Sequence, residues 1–267
     1  MYETLWRDQL APAQAELMAC AGLMPGERVL DVACGTGIIA LDAAARVSPG
    51  GDVVGVDLSG RMVGFAQRRA MHEHCTNVGF ERMDAEKLDL PDSSFNVSLC
   101  ALGLMYMPSP ERAILEMRRV ARPDGRIILA VWGERSRCGW AELFPIVDAE
   151  VASDVCPLFF RLGQGETLAQ VCLDAGLHVT ASSRISATLV YSDDNAACDA
   201  AFVAGPVALA WSRLDEAARN RARLRYLESI AIWRRQDCTY RIPGEFVIVA
   251  ASVPNRNLAS QAVRTPH

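Results

Sequence analysis

No apolar run in the 267 residues approaches the roughly 20 needed to cross a bilayer. The opening MYETLWRDQL carries Glu3, Arg7 and Asp8 where a secretory signal would place an apolar core. A cytoplasmic protein is therefore expected. The nine cysteines, at 20, 34, 75, 100, 138, 156, 172, 198 and 238, include no C-x-x-C and no His/Cys cluster at metal-ligand spacing. That pattern argues against a zinc site or a disulfide framework and predicts reduced, mostly buried thiols. An excess of positive charge is also lacking. The net charge of −5 disfavours a nucleic-acid surface. There is no internal repeat and no low-complexity segment. A hydrophobic fraction of 51% is enough for a sizeable core in one large domain or two small ones.

The chain is organised around RVLDVACGTGIIA, Arg28 to Ala40. Val29, Leu30, Val32 and Ala33 surround Asp31 as a short buried strand; Cys34 to Gly37 make a tight turn, and a helix-forming run extends from Ile38 to Val47. A second apolar strand, Asp52 to Asp57, ends in an acid twenty residues after Gly37, where folds of this kind place a ribose-binding carboxylate. Further strands are expected at 78–82, 95–101 and 126–132, with helices at 2–24, 59–72 and 110–121. On the last two helices the expected faces are Met62, Phe65, Ala66, Arg69 and Ile114, Met117, Val120, Ala121. Five strands alternating with four helices predict a parallel sheet covered on both sides.

The rhythm changes after Trp132. Strands are expected at 178–191 and 245–253, interrupted by helix-containing insertions at 133–176 and 193–237; residues 254–267 read as a disordered polar tail. Ala217, Leu224 and Ala231 recur at seven-residue spacing in the second insertion. The arginines at 213, 219, 221, 223 and 225 are interleaved with Asp215, Glu216 and Glu228, which predicts an ion-paired, solvated helix face rather than a phosphate track. Trp140, Phe144, Phe159 and Phe160, with Tyr106 and Trp211, form either a greasy acceptor pocket or the core between insertion and sheet.

Gly35, Gly37 and Ala40 satisfy the dinucleotide-binding G-x-G-x-x-A, so a nicotinamide oxidoreductase has to be weighed. Asp57 suits either cofactor, because both present a ribose diol. Asp31 separates them. A carboxylate beside the turn would face a pyrophosphate unfavourably, whereas a cofactor bearing an ammonium and a sulfonium would accept it. The chain also offers no Tyr/Lys or His/Asp set for hydride chemistry.

VLDVACGTGIIA and VVGVDLSGRMV, followed by MDAEKLDLPDSSFNVSLCALGLMYMPSPERAILEMRRVARPDGRIILA, resemble in order and spacing the motifs of class I S-adenosylmethionine-dependent methyltransferases. The similarity is greatest to the branch with the ubiquinone and menaquinone methyltransferases and covers residues 25 to 132. The resemblance implies a Rossmann-like, doubly wound, seven-stranded α/β sheet with helical insertions, its last strand antiparallel. It implies S-adenosylmethionine as cofactor and S-adenosylhomocysteine as product. Gly35, Thr36 and Gly37 would let the turn backbone approach the cofactor's methionine part, with Ala33 where the wider family has its first glycine. Asp31 would orient the ammonium, Asp57 the ribose hydroxyls, Leu58 and Met62 an adenine face, and Asp84 with the Ala85 N–H the adenine edge. Ala101 would lie beside the methionine part.

The expected parts are an N-terminal helical lid at 1–24 carrying Tyr2 and Trp6, a cofactor-binding core at 25–132, and an acceptor-binding region at 133–253. The function expected is direct transfer of a methyl group to carbon or oxygen of a small aromatic or lipophilic molecule, without metal, in a possible homodimer. An RNA- or protein-methylating enzyme is the other alternative, although the Asn/Asp-Pro-Pro-Tyr of amino-methylating enzymes is missing. His72 and His74 lie away from the expected strand ends, His178 opens a later strand, His267 is in the tail, and no catalytic base is named.

Overall fold

The computed structural model describes residues 2–151, 158–203 and 205–255, with side chains from residue 5 onward. The expected polar tail lies outside them from residue 256 on. The elements run α1 (Tyr2–Ala21), β1 (Arg28–Val32), α2 (Ile38–Val47), β2 (Asp52–Asp57), α3 (Gly60–His72), β3 (Val78–Arg82), β4 (Phe95–Ala101), α4 (Pro110–Val120) and β5 (Ala121–Trp132). They continue with α5 (Leu143–Val151), α6 (Thr167–Asp174), β6 (His178–Tyr191), α7 (Asp194–Cys198), α8 (Ala208–Arg213), α9 (Glu216–Ile230) and β7 (Tyr240–Ser252). No helix among the described residues is long and apolar enough to cross a membrane.

The seven strands form one sheet in the order β3-β2-β1-β4-β5-β7-β6. The pairs β1–β2, β1–β4, β2–β3 and β4–β5 are parallel. β7 runs against β5: the Asp124 N–H donates to Val253 O at 3.0 Å, and the Gly133 N–H at the other end of β5 donates to Glu245 O. The seven-stranded α/β expectation is met. The four expected helices of the first half are present, and residues 83–94 connect β3 to β4 without a helix. β5 also begins five residues before the expected Arg126, with a register shift opposite Phe95/Val97 that accommodates Asp124 at φ 62°.

The chain divides into two compact units. The larger comprises the described residues of Gln14–Val131, Glu166–Ser183 and Ile248–His267. Its central strands are buried on both faces: Val29, Leu30, Val32, Val97, Leu99, Ile127, Ile128 and Leu129 are fully enclosed, as near-continuous apolar strands between two helix layers must be. The buried face of α4 is the expected one, extended by Pro110 and Ala113. That of α3 is Val63, Ala66 and Ala70 rather than the set with Phe65, which stays exposed between the guanidinium groups of Arg61 and Arg68.

The smaller unit comprises the described residues of Met1–Ala13, Trp132–Gly165 and Arg184–Val247. Its core is aromatic. Trp132 and Trp140 lie 4.8 Å apart, Phe144 and Phe159 5.0 Å, and Phe159 and Phe160 5.1 Å. Trp140, Phe144, Phe159 and Phe160 therefore bury one another. Trp6, expected on a lid, is buried against Trp132 and Trp140, and its Nε1–H donates to Ala200 O. Trp211 stacks on Phe202. α9 buries Ala218, Ala222, Tyr226 and Ile230, a four-residue stripe; Ala217, Leu224 and Ala231, at seven-residue spacing, are exposed. Arg221 pairs with Glu150 at 2.6 Å and Arg223 donates to Asn195 Oδ1 at 2.8 Å, partners outside the helix rather than its own interleaved acids.

Candidate cofactor site

The strand order reverses direction between β1 and β4, the topological switch point at which open α/β sheets bind ligands outside the carboxyl ends of their strands. Two non-glycine residues there hold left-handed backbone angles: Ala33 after β1 (φ 57°) and Leu102 after β4 (φ 62°). Such conformations are costly for residues with a β-carbon and concentrate at functional sites. The two turns press together. A β-carbon on Gly103 would lie 2.5 Å from Ala33 Cβ and 3.0 Å from Cys100 Sγ.

Asp57 closes the glycine turn. Its Oδ2 accepts the Gly35 N–H at 2.9 Å and its Oδ1 the Ser59 N–H at 2.8 Å. Each oxygen keeps a lone pair for a further donor. Gly35 (φ 55°) has open space where a β-carbon would be. Gly37 (φ 83°) does not: its β-carbon would meet Phe80 Cζ at 2.9 Å and Ala66 Cβ at 3.0 Å. The missing β-carbon of Gly37 thus serves the packing of α2 against β3 and α3. Thr36 O accepts from Arg69 Nη1 at 3.2 Å.

Asp31 is 1% exposed, and its Oδ2 has no hydrogen-bond partner among the described residues. Burial pushes its carboxyl up to about 8; the Ala40 N–H opposes this, and the nearby Asp57 charge adds to it. An orphaned buried carboxylate oxygen is costly unless something binds it. Burial likewise pushes the Cys100 thiol up to about 12 and that of Cys34 higher, so both stay protonated and act as small packing groups. All the described cysteines are free, and five of them are buried: 34, 100, 138, 172 and 198.

The remaining expected residues lie along the same edge. Leu58 is exposed, Met62 is half-buried in the first turn of α3, and Ala101 is half-buried at the end of β4. The Met83 N–H donates to Asp57 O, which sets Asp84 and Ala85 beside the end of β2. Asp84 Oδ1 accepts the Glu86 N–H at 2.9 Å. Sequence reasoning missed Leu102 and Gly103; the leucine–glycine pair directly after a buried strand was the available signal. In the smaller unit a separate cavity of about 580 Å³ is lined by Arg135, Arg137, Ser186, Thr188, Trp233 and Glu245, among others.

Residues 23–155 match a family model described as a methyltransferase domain. The chain is 39% identical over 110 residues to the ubiquinone/menaquinone biosynthesis C-methyltransferase UbiE of Ectopseudomonas mendocina, covering 41% of this chain and 43% of that one. It is 35% identical over 131 residues to an uncharacterised protein of Mycobacterium bovis, covering 49% of this chain and 46% of that one. The chain thus spans about half the length of the curated relatives it matches. A solved structure from Bacillus halodurans, provisionally described as a methyltransferase, superposes with a TM-score of 0.67 at 19% identity over 91% of this chain and 99% of that one. At that identity the likeness shows the fold.

Proposed function

We propose that the chain, whose residues 23–155 match the methyltransferase-domain family, transfers the methyl group of S-adenosylmethionine to a small-molecule acceptor. The observation that carries this reading is Asp31, buried at the switch point with an unpartnered carboxylate oxygen. A cationic ligand group offers that oxygen what the protein does not, so the residues present fit a cofactor bearing an ammonium. They fit a dinucleotide less well, because a pyrophosphate would add negative charge beside Asp31 and Asp57.

Bound S-adenosylmethionine would supply an already activated methyl group, so alignment with the acceptor does most of the work. The chain's own residues hold and orient. Asp31 would receive the ammonium, and the open space at Gly35 would admit the methionine part between Thr36 and Ala101. Asp57, while clamping the turn, would accept from the ribose hydroxyls. Leu58 and Met62 would cover the adenine, with Asp84 and the Ala85 N–H at its edge.

Transfer to carbon or oxygen of an aromatic or lipophilic acceptor is supported by Tyr106, which is 53% exposed in the turn after β4 beside buried Leu104 and Met105. Residues 133–253 are the further segment proposed to bind the acceptor. The test is calorimetric titration with S-adenosylhomocysteine. Micromolar-range binding by the wild type and its loss in Asp57→Ala are expected; absence of binding to either cofactor form overturns the reading.

A further inference from the structure

We propose that Arg119 is a positioning residue for the adenine end of the site, holding the helix-free segment after β3 so that Asp84 and Ala85 face the base. The inference rests on the cofactor reading above and adds to it a residue on the far side of the loop.

Residues 83–94 form no helix, so their backbone groups need partners from elsewhere. Arg119, in the last turn of α4, supplies them. Its Nε and Nη2 form a fork on Glu116, each at 2.8 Å. Nη2 also donates to Leu88 O at 2.8 Å, and Nη1 donates to Leu90 O at 2.8 Å and Asp92 Oδ1 at 2.6 Å. These bonds use all five guanidinium N–H groups. Glu116 Oε2 in turn accepts the Leu88 N–H at 2.8 Å, so Leu88 is held at both its N–H and its carbonyl. Leu88 is buried, which fixes the segment from the side-chain direction too.

The constraint reaches Asp84 through a closed turn. The Lys87 N–H donates to Asp84 O at 3.0 Å, and the Glu86 N–H to Asp84 Oδ1 at 2.9 Å. Glu86 Oε1 accepts the Ser109 N–H at the start of α4 at 2.7 Å. Asp84 therefore sits on a turn tied to α4 at both ends of that helix. A lysine could not replace Arg119: a point charge with three donors cannot serve a carboxylate fork and two diverging carbonyls together.

The experiment compares two ligands on the full chain by calorimetry: S-adenosylhomocysteine, and S-inosylhomocysteine, in which oxygen replaces the adenine amino group. The wild type is expected to prefer the adenine form at least tenfold. In Arg119→Lys that preference should fall to threefold or less, with S-inosylhomocysteine affinity changed by less than threefold. A role confined to stability would weaken both ligands alike and keep the preference; that result overturns the proposal, as does a wild type with no preference. Glu116→Gln, which loosens the same fork without removing the arginine, should move the preference in the same direction and serves if Arg119→Lys does not fold. A wild type that binds neither ligand overturns the cofactor reading itself.

Discussion

Asp57 Oδ2 accepts the backbone N–H of Gly35 at 2.9 Å, tying the end of β2 to the turn that follows β1. A residue read from sequence as a ribose ligand is thus also the clamp of the loop it serves. Asp57→Ala strands two N–H groups, those of Gly35 and Ser59, and should cost about 1–3 kcal/mol of stability. Urea denaturation checks this. Asp57→Asn keeps one acceptor oxygen and should fall between wild type and alanine, both in stability and in S-adenosylhomocysteine affinity.

The two turn glycines should respond differently to alanine. Gly37→Ala forces a β-carbon against Phe80 and Ala66 at φ 83°, and a destabilisation of about 2–4 kcal/mol is expected from strain and overpacking together. Trimming the clash with Phe80→Leu should recover part of it. Gly35→Ala meets nothing within 4 Å and carries only the conformational cost, about 1 kcal/mol. Its affinity for S-adenosylhomocysteine should nevertheless fall tenfold or more, because the new methyl occupies the open space assigned to the cofactor. Equal affinity in Gly35→Ala and wild type would count against that placement.

This division of labour explains what the sequence could and could not convey. The glycine spacing identifies a turn after a strand, but the neighbours that a β-carbon on Gly37 would strike, Phe80 and Ala66, come from β3 and α3, far along the chain. The five-strand rhythm was legible because each strand is a short apolar run bounded by turn residues. The helix-free connection at 83–94 was legible only as a Pro91 turn, since its partners sit on Arg119. In α9 the seven-residue spacing of Ala217, Leu224 and Ala231 does not mark the buried face, because alanine carries little burial signal and the buried stripe mixes small residues with Tyr226 and Ile230. The aromatics of 140–160 fit pocket or core from sequence alone, and mutual packing makes them core.

Glu245 is 3% exposed in the smaller unit, where its Oε2 pairs with Arg184 Nη1 at 2.7 Å and accepts the Glu134 N–H at 3.1 Å. Arg184 Nη2 also donates to Gly163 O and Gly165 O, so the pair fastens the 161–165 turn to β6 and β7. Glu245→Ala leaves a half-buried guanidinium without its partner, and about 3 kcal/mol of destabilisation is expected. Glu245→Gln should cost roughly half as much, since it keeps an acceptor. Thermal denaturation of the ligand-free variants decides; a change below about 0.5 kcal/mol in Glu245→Ala would show the network to be decorative.

Asp31 gives the fold a pH dependence of definite sign. In the folded chain its carboxyl is pushed up to about 8 by burial, against an ordinary 3.8. Between those values the folded state holds a proton that the unfolded state has released, so stability falls as pH rises, by at most about 1.4 kcal/mol per pH unit. Asp31→Asn removes the titration, and its stability advantage over wild type should grow from pH 5 to pH 8 in ligand-free denaturation curves. Ligand binding should run the other way. If the carboxylate receives the ammonium of S-adenosylhomocysteine, the proton must leave on binding, and wild-type affinity should increase from pH 6 to pH 8 with proton release measurable in buffers of different ionisation enthalpy. Asp31→Asn should bind tenfold or more weakly at pH 8, with a flat profile, because a neutral amide cannot replace the charge-assisted bond. A flat wild-type profile without proton release would remove Asp31 from the ammonium site.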